Sequence, residues 1–164
     1  ADITLRFARR FPYAAIVGLD AGANMLARAR LDVAAAGLEN QISLLQAHLP
    51  DHGLTAASFD AIVSNSLLHH LSDPNALWAS IKSSGRIGAT VAVMDLLRPE
   101  SDLRLVELVE LYAGQAPPLL KQDFAHSLAA AYTIYEIERQ LEVAGLNLSV
   151  KAISDRHVFI WGKL

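Results

Sequence analysis

Short apolar, β-rich runs alternate with helical stretches along this chain, and the alternation limits the possible folds more than any other feature. Strands are predicted at residues 14–20, 42–46, 59–65 and 87–95. Helical or loop-like segments separate them, which is the pattern of a parallel sheet covered by helices on both faces. We therefore expect an α/β fold with a mostly parallel sheet.

The C-terminal end departs from this pattern. Residues 146–152 alternate apolar and polar side chains, and residues 158–161 are entirely apolar, so both are predicted strands. The segment between them is too short for a parallel crossover, which needs about a dozen residues or more. The sequence therefore predicts a C-terminal antiparallel hairpin.

Helices are predicted from apolar spacing and from their end signals. Gly37 is a suitable C-terminal stop for the helix after the first strand, and Gly145 for the last helix. Thr133 and Glu136 form a Thr-x-x-Glu capping box that opens the last helix. The first of these helices is predicted to bury one face, formed by Met25, Ala29, Val33 and Ala36.

Residues 99–133 interrupt the simple alternation and are interpreted as a helical insert. The segment carries an amphipathic helix and then the pair Pro117–Pro118. We expect this insert to act as a lid. The apolar face of its helix is formed by Leu105, Leu108, Val109 and Tyr112.

Composition excludes several classes of protein. The 164 residues suit one domain, and the net charge of −3 provides no basic surface for nucleic acid or an anionic membrane. The absence of cysteine excludes disulfides, thiol nucleophiles and zinc–cysteine sites. No apolar run approaches the roughly 20 residues of a membrane span, and no signal peptide is recognisable. We expect a soluble, cytoplasmic protein.

Polar residues at the ends of predicted strands are the candidate binding residues. Asp20 ends the first strand, where a carboxylate can accept hydrogen bonds from the hydroxyls of an adenosine ribose. The alternative is a loop acid or an anchor for an arginine. Ser64, Asn65 and Ser66 follow another buried strand and could line a pocket, or could serve only turn and capping chemistry.

The histidines offer little support for a metal site. His69 and His70 are adjacent and cannot both face one site, so we expect a buried structural histidine or a general base rather than a metal ligand. His48 and His52 have the spacing of one helix face, but Pro50 argues against a helix there. No metal is predicted.

Other catalytic patterns are absent from the sequence. It contains no Gly-x-Ser-x-Gly elbow, Walker loop or His-Glu-x-x-His motif, which disfavours hydrolases and nucleotidases. A short-chain dehydrogenase would require Tyr-x-x-x-Lys. Tyr132 is instead followed four residues later by Glu136, and Tyr135 by Arg139.

Four segments in order resemble the class I S-adenosylmethionine (SAM) dependent methyltransferases. IVGLDAGANMLARAR (16–30) is similar to the second strand of that family with its ribose acid and following helix. FDAIVSNSLLHHLSDP (59–74) resembles the fourth strand and the turn after it, GATVAVMDLLRP (88–99) the fifth strand, and YTIYEIERQLEVAGL (132–146) the late helix. The resemblance implies a Rossmann-like methyltransferase sheet with a C-terminal antiparallel hairpin.

The resemblance also implies SAM as the cofactor and methyl transfer to a small-molecule acceptor. Since the cofactor supplies the reactive methyl group, no catalytic residue is assigned, and His69 or His70 is a candidate base only for a hydroxyl acceptor. Backbone groups after the third strand are expected to replace the acid that the family commonly uses for adenine. The implied cofactor-binding residues are Asp20, Ala21, Ala47, His48, Ser64 and Asn65.

Two departures keep other functions open. The glycine-rich turn of the family would lie before Ala1, so residues 1–164 are expected to form a single, N-terminally incomplete domain. The acid for adenine is replaced by Gln46, Ala47 and His48. The alternatives are an NAD(P)-dependent oxidoreductase, whose ribose Asp20 could also bind, and a non-enzymatic module whose insert mediates dimerisation. A homodimer is a possible assembly.

Overall fold

A computed structural model describes residues 2–164, which contain six α-helices, a short 3₁₀ helix (Leu68–His70) and six strands. The α/β fold is confirmed. The predicted helix over the first eleven residues corresponds to α1 (Asp2–Arg10), and Ala1 lies outside the described residues. None of the described helices is long and apolar enough to cross a membrane. The chain divides into two compact units, residues 1–53 and 54–164.

The first unit contains α1 and a two-stranded parallel sheet. β1 (Ile16–Asp20) pairs with β2 (Ile42–Gln46) in a register that places Ile16 opposite Ile42 and Asp20 opposite Gln46. The parallel pairing brings the carboxyl ends of both strands to one edge. α2 connects the strands (Ala23–Ala35). The core of this unit contains the buried residues Ala8, Val33 and Ile42, with Leu5, Ile16, Leu38 and Leu44 packed against them.

The buried face of α2 differs from the predicted face. Leu26, Ala29 and Val33 are buried, whereas the side chain of Met25 is 61% exposed. The prediction for Met25 was wrong because the inward stripe is centred on Leu26, about 100° further round the helix. The predicted stop is confirmed, since the helix ends at Ala35 and Gly37 adopts a left-handed φ of 66°.

The second unit contains a mixed four-stranded sheet in the order β3-β4-β6-β5. β3 (Phe59–Asn65) and β4 (Gly85–Leu96) are parallel, and α3 (Asn75–Ser84) connects them. β5 (Ser149–Ala152) and β6 (His157–Lys163) form the predicted antiparallel hairpin. Apolar side chains buried in this unit include Trp78, Ile81, Val91, Val93, Ile137, Val158 and Ile160.

The insert forms two helices, α4 (Asp102–Ala113) and α5 (Pro118–Ala130). They share a buried cluster with the end of β4, formed by Leu96, Leu108, Val109, Leu128 and Ala131. The Tyr112 hydroxyl donates to Asp155 Oδ2 at 2.8 Å, and the Arg156 guanidinium carbon lies 3.4 Å from the centre of the Tyr112 ring. These contacts attach α4 to the turn of the C-terminal hairpin. The lid role of the insert stays a prediction.

The last helix, α6 (Ile134–Ala144), has the predicted capping box. The Thr133 hydroxyl oxygen accepts from the Glu136 backbone N–H, and the Glu136 carboxylate accepts from the Thr133 backbone N–H. Arg98 also contacts this carboxylate, with its Nη2 2.8 Å from Oε2. Gly145 ends the helix with a left-handed φ of 65°.

Two strands have an edge that pairs with no other strand. Among residues 2–164, β1 pairs with β2 alone, and β3 pairs with β4 alone. The free edge of a strand presents unpaired N–H and C=O groups, which can accept a further strand. The expectation of a single, N-terminally incomplete domain stays a prediction.

Candidate functional site

The carboxyl ends of β1 and β2 bring the predicted ribose and adenine residues together. The Ala47 backbone N–H donates to the Asp20 carbonyl oxygen at 3.2 Å, and Gln46 Nε2 donates to the Ala21 carbonyl oxygen at 3.1 Å. His48 follows Ala47 in the chain and is exposed. The four residues Asp20, Ala21, Ala47 and His48 therefore occupy one edge of the sheet of the first unit.

The Asp20 carboxylate has one oxygen in a turn and one oxygen without a partner. Oδ1 accepts the Gly22 backbone N–H at 2.7 Å, just before α2 begins at Ala23. No hydrogen bond or ion pair joins Oδ2 to any of residues 2–164. The side chain is exposed. Both interpretations of this acid thus have support, because one oxygen shapes the turn while the other is available to a ligand.

The end of β3 carries the second group of predicted cofactor residues. Ser64 Oγ is sealed from solvent and is the only such side-chain polar atom without a partner among the described residues. Asn65 Nδ2 donates to Ser66 Oγ at 3.2 Å. Ser66 has a φ of 53°, a left-handed conformation that is uncommon outside glycine. An unpaired buried polar atom beside a strained turn is frequent at functional sites.

A buried carboxylate–histidine pair lies beside this turn, in the same unit. His69 Nδ1 lies 2.5 Å from Asp95 Oδ1, and the two side chains are only 4% and 2% exposed. Asp95 Oδ2 accepts the backbone N–H groups of Leu67 and Leu68, at 2.8 and 2.7 Å, and Oδ1 also accepts that of Leu96 at 2.8 Å. Asp95 therefore fixes both the His69 ring and the backbone turn before it.

The environment of Asp95 favours its ionised form. Burial alone would raise the pKa of Asp95, but the hydrogen bond and charge of His69 and the backbone N–H groups of Leu96 and Leu68 outweigh burial and lower this pKa. Since an ionised carboxylate can only accept, His69 Nδ1 is the donor of their hydrogen bond.

Two further histidines lie near the pair. The His69 and His70 rings have centres 4.0 Å apart. Burial, followed by the neighbouring His69, lowers the pKa of His70, and burial followed by Arg156 lowers the pKa of His157. A hydrogen bond of 2.9 Å joins His157 Nδ1 to Ser154 Oγ. Within residues 2–164 no group of three His, Cys, Asp or Glu residues is arranged to hold a metal ion.

The sequence predicted a buried, hydrogen-bonded histidine at this turn but not its partner. The structure assigns that position to His69, whereas the neighbouring His70 is exposed. The available signal for Asp95 was its place as an acid at the end of a buried apolar strand, the same signal that identified Asp20.

Comparison with known proteins places the chain in a family. The sequence profile of the family described as "Methyltransferase domain" matches residues 1–86, and the chain belongs to this family. Uncharacterized methyltransferases of Mycobacterium bovis and Mycobacterium tuberculosis are 32% identical to it over 125 residues, which cover 76% of this chain and 60% of each relative. The chain thus spans less than two thirds of the length of these relatives. The resemblance to class I SAM-dependent methyltransferases is confirmed.

Solved structures confirm the Rossmann-like methyltransferase fold. A SAM-dependent methyltransferase from Aquifex aeolicus superposes with a TM-score of 0.66 at 20% identity, covering 88% of this chain and 66% of that one. A second solved structure is phosphoethanolamine N-methyltransferase 2 of Haemonchus contortus in complex with SAM. It superposes with a TM-score of 0.69 at 17% identity, and the match covers 91% of this chain and 31% of that one.

Proposed function

We propose that the protein is a SAM-dependent methyltransferase that acts on a small-molecule acceptor. The observation that carries the proposal is the unpartnered Asp20 Oδ2 at the carboxyl edge of β1 and β2. Family membership supports SAM as the ligand of this edge. When bound, SAM supplies an electrophilic methyl group on a sulfonium, and the protein supplies binding and orientation.

The proposed cofactor contacts include two atoms that have no hydrogen-bond partner in the structure, Asp20 Oδ2 and Ser64 Oγ. Asp20 Oδ2 would accept from the ribose hydroxyls, while Oδ1 keeps its bond to Gly22. Backbone groups of Ala47 and His48 would contact the adenine, in place of an acidic side chain. In the second unit, Ser64 and Asn65 are proposed cofactor contacts, because Ser64 Oγ has no partner of its own.

The charge of the chain supports a small acceptor. Nucleic-acid substrates require basic surfaces that neutralise phosphates, and this chain has 14 basic against 17 acidic residues. The insert also exposes apolar side chains, among them Leu103, Leu111 and Leu119. A small and partly apolar acceptor fits both observations.

A labelling experiment tests the acceptor class. The full-length protein is incubated with methyl-tritiated SAM and a cell extract that has been separated by ultrafiltration into small-molecule and macromolecular fractions. We expect label to enter extractable products only with the small-molecule fraction. Label that enters only the macromolecular fraction would contradict a small-molecule acceptor, and heat-denatured protein provides the blank.

A further inference from the structure

We propose that His69 is the general base of the reaction and that the methyl acceptor is therefore a hydroxyl group. This inference rests on the proposed methyltransferase function and names its acceptor class. It is carried by the buried hydrogen bond between His69 Nδ1 and Asp95 Oδ1, 2.5 Å long. Asp95 is the positioning residue of the pair.

The hydrogen bond to Asp95 determines which nitrogen of His69 can act as a base. The Nδ1–H group donates a hydrogen bond to the carboxylate, so in the neutral ring Nε2 carries the free lone pair. The carboxylate is held in turn by the backbone N–H groups of Leu67, Leu68 and Leu96. The ring therefore has one tautomer and one orientation, as a positioned base requires.

His69 Nε2 remains accessible although most of the ring is buried. No hydrogen bond joins Nε2 to any of residues 2–164, yet Ser64 Oγ is the only sealed side-chain polar atom that lacks a partner in this part of the chain. Nε2 therefore retains contact with solvent. Solvent contact at Nε2 is what a proton-accepting nitrogen requires.

His69 is better suited to accept a proton than His70. A base becomes positively charged as it accepts a proton, and of the two rings only that of His69 is hydrogen-bonded to a carboxylate, that of Asp95. His70 has no such bond, and its pKa is lowered by burial and by the neighbouring His69. The exposed His70 ring lies 4.0 Å from the His69 ring, centre to centre, so it provides a closely matched control.

The proposed step moves one proton to His69 and one methyl group to the acceptor oxygen. The acceptor O–H bond breaks and its proton moves to His69 Nε2, while an oxygen lone pair forms the new O–CH3 bond. The C–S bond to the transferred methyl breaks, and its electron pair stays on the departing sulfur, which becomes neutral. The imidazolium beside Asp95 then releases the proton to water. No oxidant, reductant or metal takes part.

A hydroxyl acceptor gains far more from this base than an amine acceptor does. A neutral alcohol or phenol is a weak nucleophile until its proton is removed, whereas a neutral amine attacks through its lone pair and loses its proton afterwards. A dedicated and buried carboxylate–histidine pair is therefore expected in an enzyme that methylates oxygen.

The variant His69→Asn tests the base directly, because the asparagine Nδ2 can still donate to Asp95 while the basic nitrogen is lost. Formation of S-adenosylhomocysteine is measured with a panel of phenols and with the corresponding anilines. In the full-length protein we expect the rate with phenols to fall about 100-fold or more for His69→Asn, and by less than about 3-fold for His70→Asn. The affinity for SAM, measured by calorimetry, should be unchanged in both variants.

Nitrogen NMR of ring-labelled histidine provides a readout that does not depend on turnover. When the His69 ring is neutral, we expect it to carry its proton on Nδ1, with Nε2 unprotonated. A neutral His69 ring with its proton on Nε2 would overturn the inference, as would wild-type activity on anilines but not phenols, or full phenol activity in His69→Asn. These results would leave SAM binding intact. Failure to bind SAM would instead overturn the proposed function, and this inference with it.

Discussion

The variant Asp95→Ala is expected to lower the free energy of unfolding by about 3–5 kcal/mol, because it removes a buried carboxylate and several of its hydrogen bonds at once. Alanine has no acceptor for the backbone N–H groups of Leu67, Leu68 and Leu96, or for His69 Nδ1. All of these groups belong to the turn after β3 or to the end of β4. Denaturant unfolding followed by circular dichroism measures the loss.

The matched control is Asp60→Ala, which removes an aspartate whose side chain is 83% exposed and pairs with Arg86 at the surface. We expect this variant to lose less than about 1 kcal/mol. Equal losses in the two variants would contradict the structural role of Asp95.

The loss in Asp95→Ala should also depend on pH. The pKa of Asp95 in the folded protein is lowered from its ordinary value of 3.8, so its carboxylate contributes stability above that pH. This contribution is lost as the pH falls through the folded pKa. The difference in free energy of unfolding between wild type and Asp95→Ala should therefore narrow below pH 3.8. Denaturant titrations at several pH values measure this difference, and one that stays constant would indicate that the carboxylate charge contributes nothing.

The variant Asp20→Ala is expected to weaken SAM binding by at least about tenfold, since hydrogen bonds to a charged carboxylate contribute about 1.5–3 kcal/mol each. The free energy of unfolding should change less than the free energy of SAM binding, because the Asp20 side chain is exposed and supports no core. Calorimetric titration of the full-length variant with SAM measures the change in affinity. Unchanged affinity would mean that the ribose site lies elsewhere.

Two further variants separate the ligand role of Asp20 from its turn. Asp20→Asn keeps an oxygen for the Gly22 backbone N–H but removes the charge, so stability should be restored while SAM affinity stays low. Glu39→Gln removes an exposed negative charge near the opposite end of β2, and its SAM affinity should match that of wild type. If Asp20→Asn binds SAM as well as wild type does, the carboxylate serves only the turn.

Strand positions were predictable because apolar runs here are bounded by clear signals. β2 and β3 have the predicted bounds, Ile42–Gln46 and Phe59–Asn65, and polar or turn-forming residues flank both. The hairpin of β5 and β6 followed from the short gap between them, which excludes a crossover. Local helix signals also held, since the Thr133 capping box and Gly145 delimit α6 as predicted.

Contacts between residues distant in sequence were not predictable from spacing. Asp95 and His69 are 26 positions apart and meet only because β4 ends beside the turn that follows β3. The bond from Tyr112 to Asp155 likewise depends on where α4 packs. Periodicity also left the centre of the buried stripe of α2 uncertain by one position, which misplaced Met25. For Asp20, the sequence identified the acid but not that one carboxylate oxygen is held by the Gly22 backbone N–H while the other has no partner.

Calorimetric titration of the full-length wild-type protein with SAM, and separately with NAD and NADP, tests the central claim most directly. The dinucleotides are the relevant competitors because a ribose-binding acid such as Asp20 could serve either kind of cofactor. We expect SAM to bind at one site and neither dinucleotide to bind measurably. Preferential binding of a dinucleotide would contradict the methyltransferase function in favour of an oxidoreductase, and binding of none of the three would contradict any role in which Asp20 holds an adenosine cofactor.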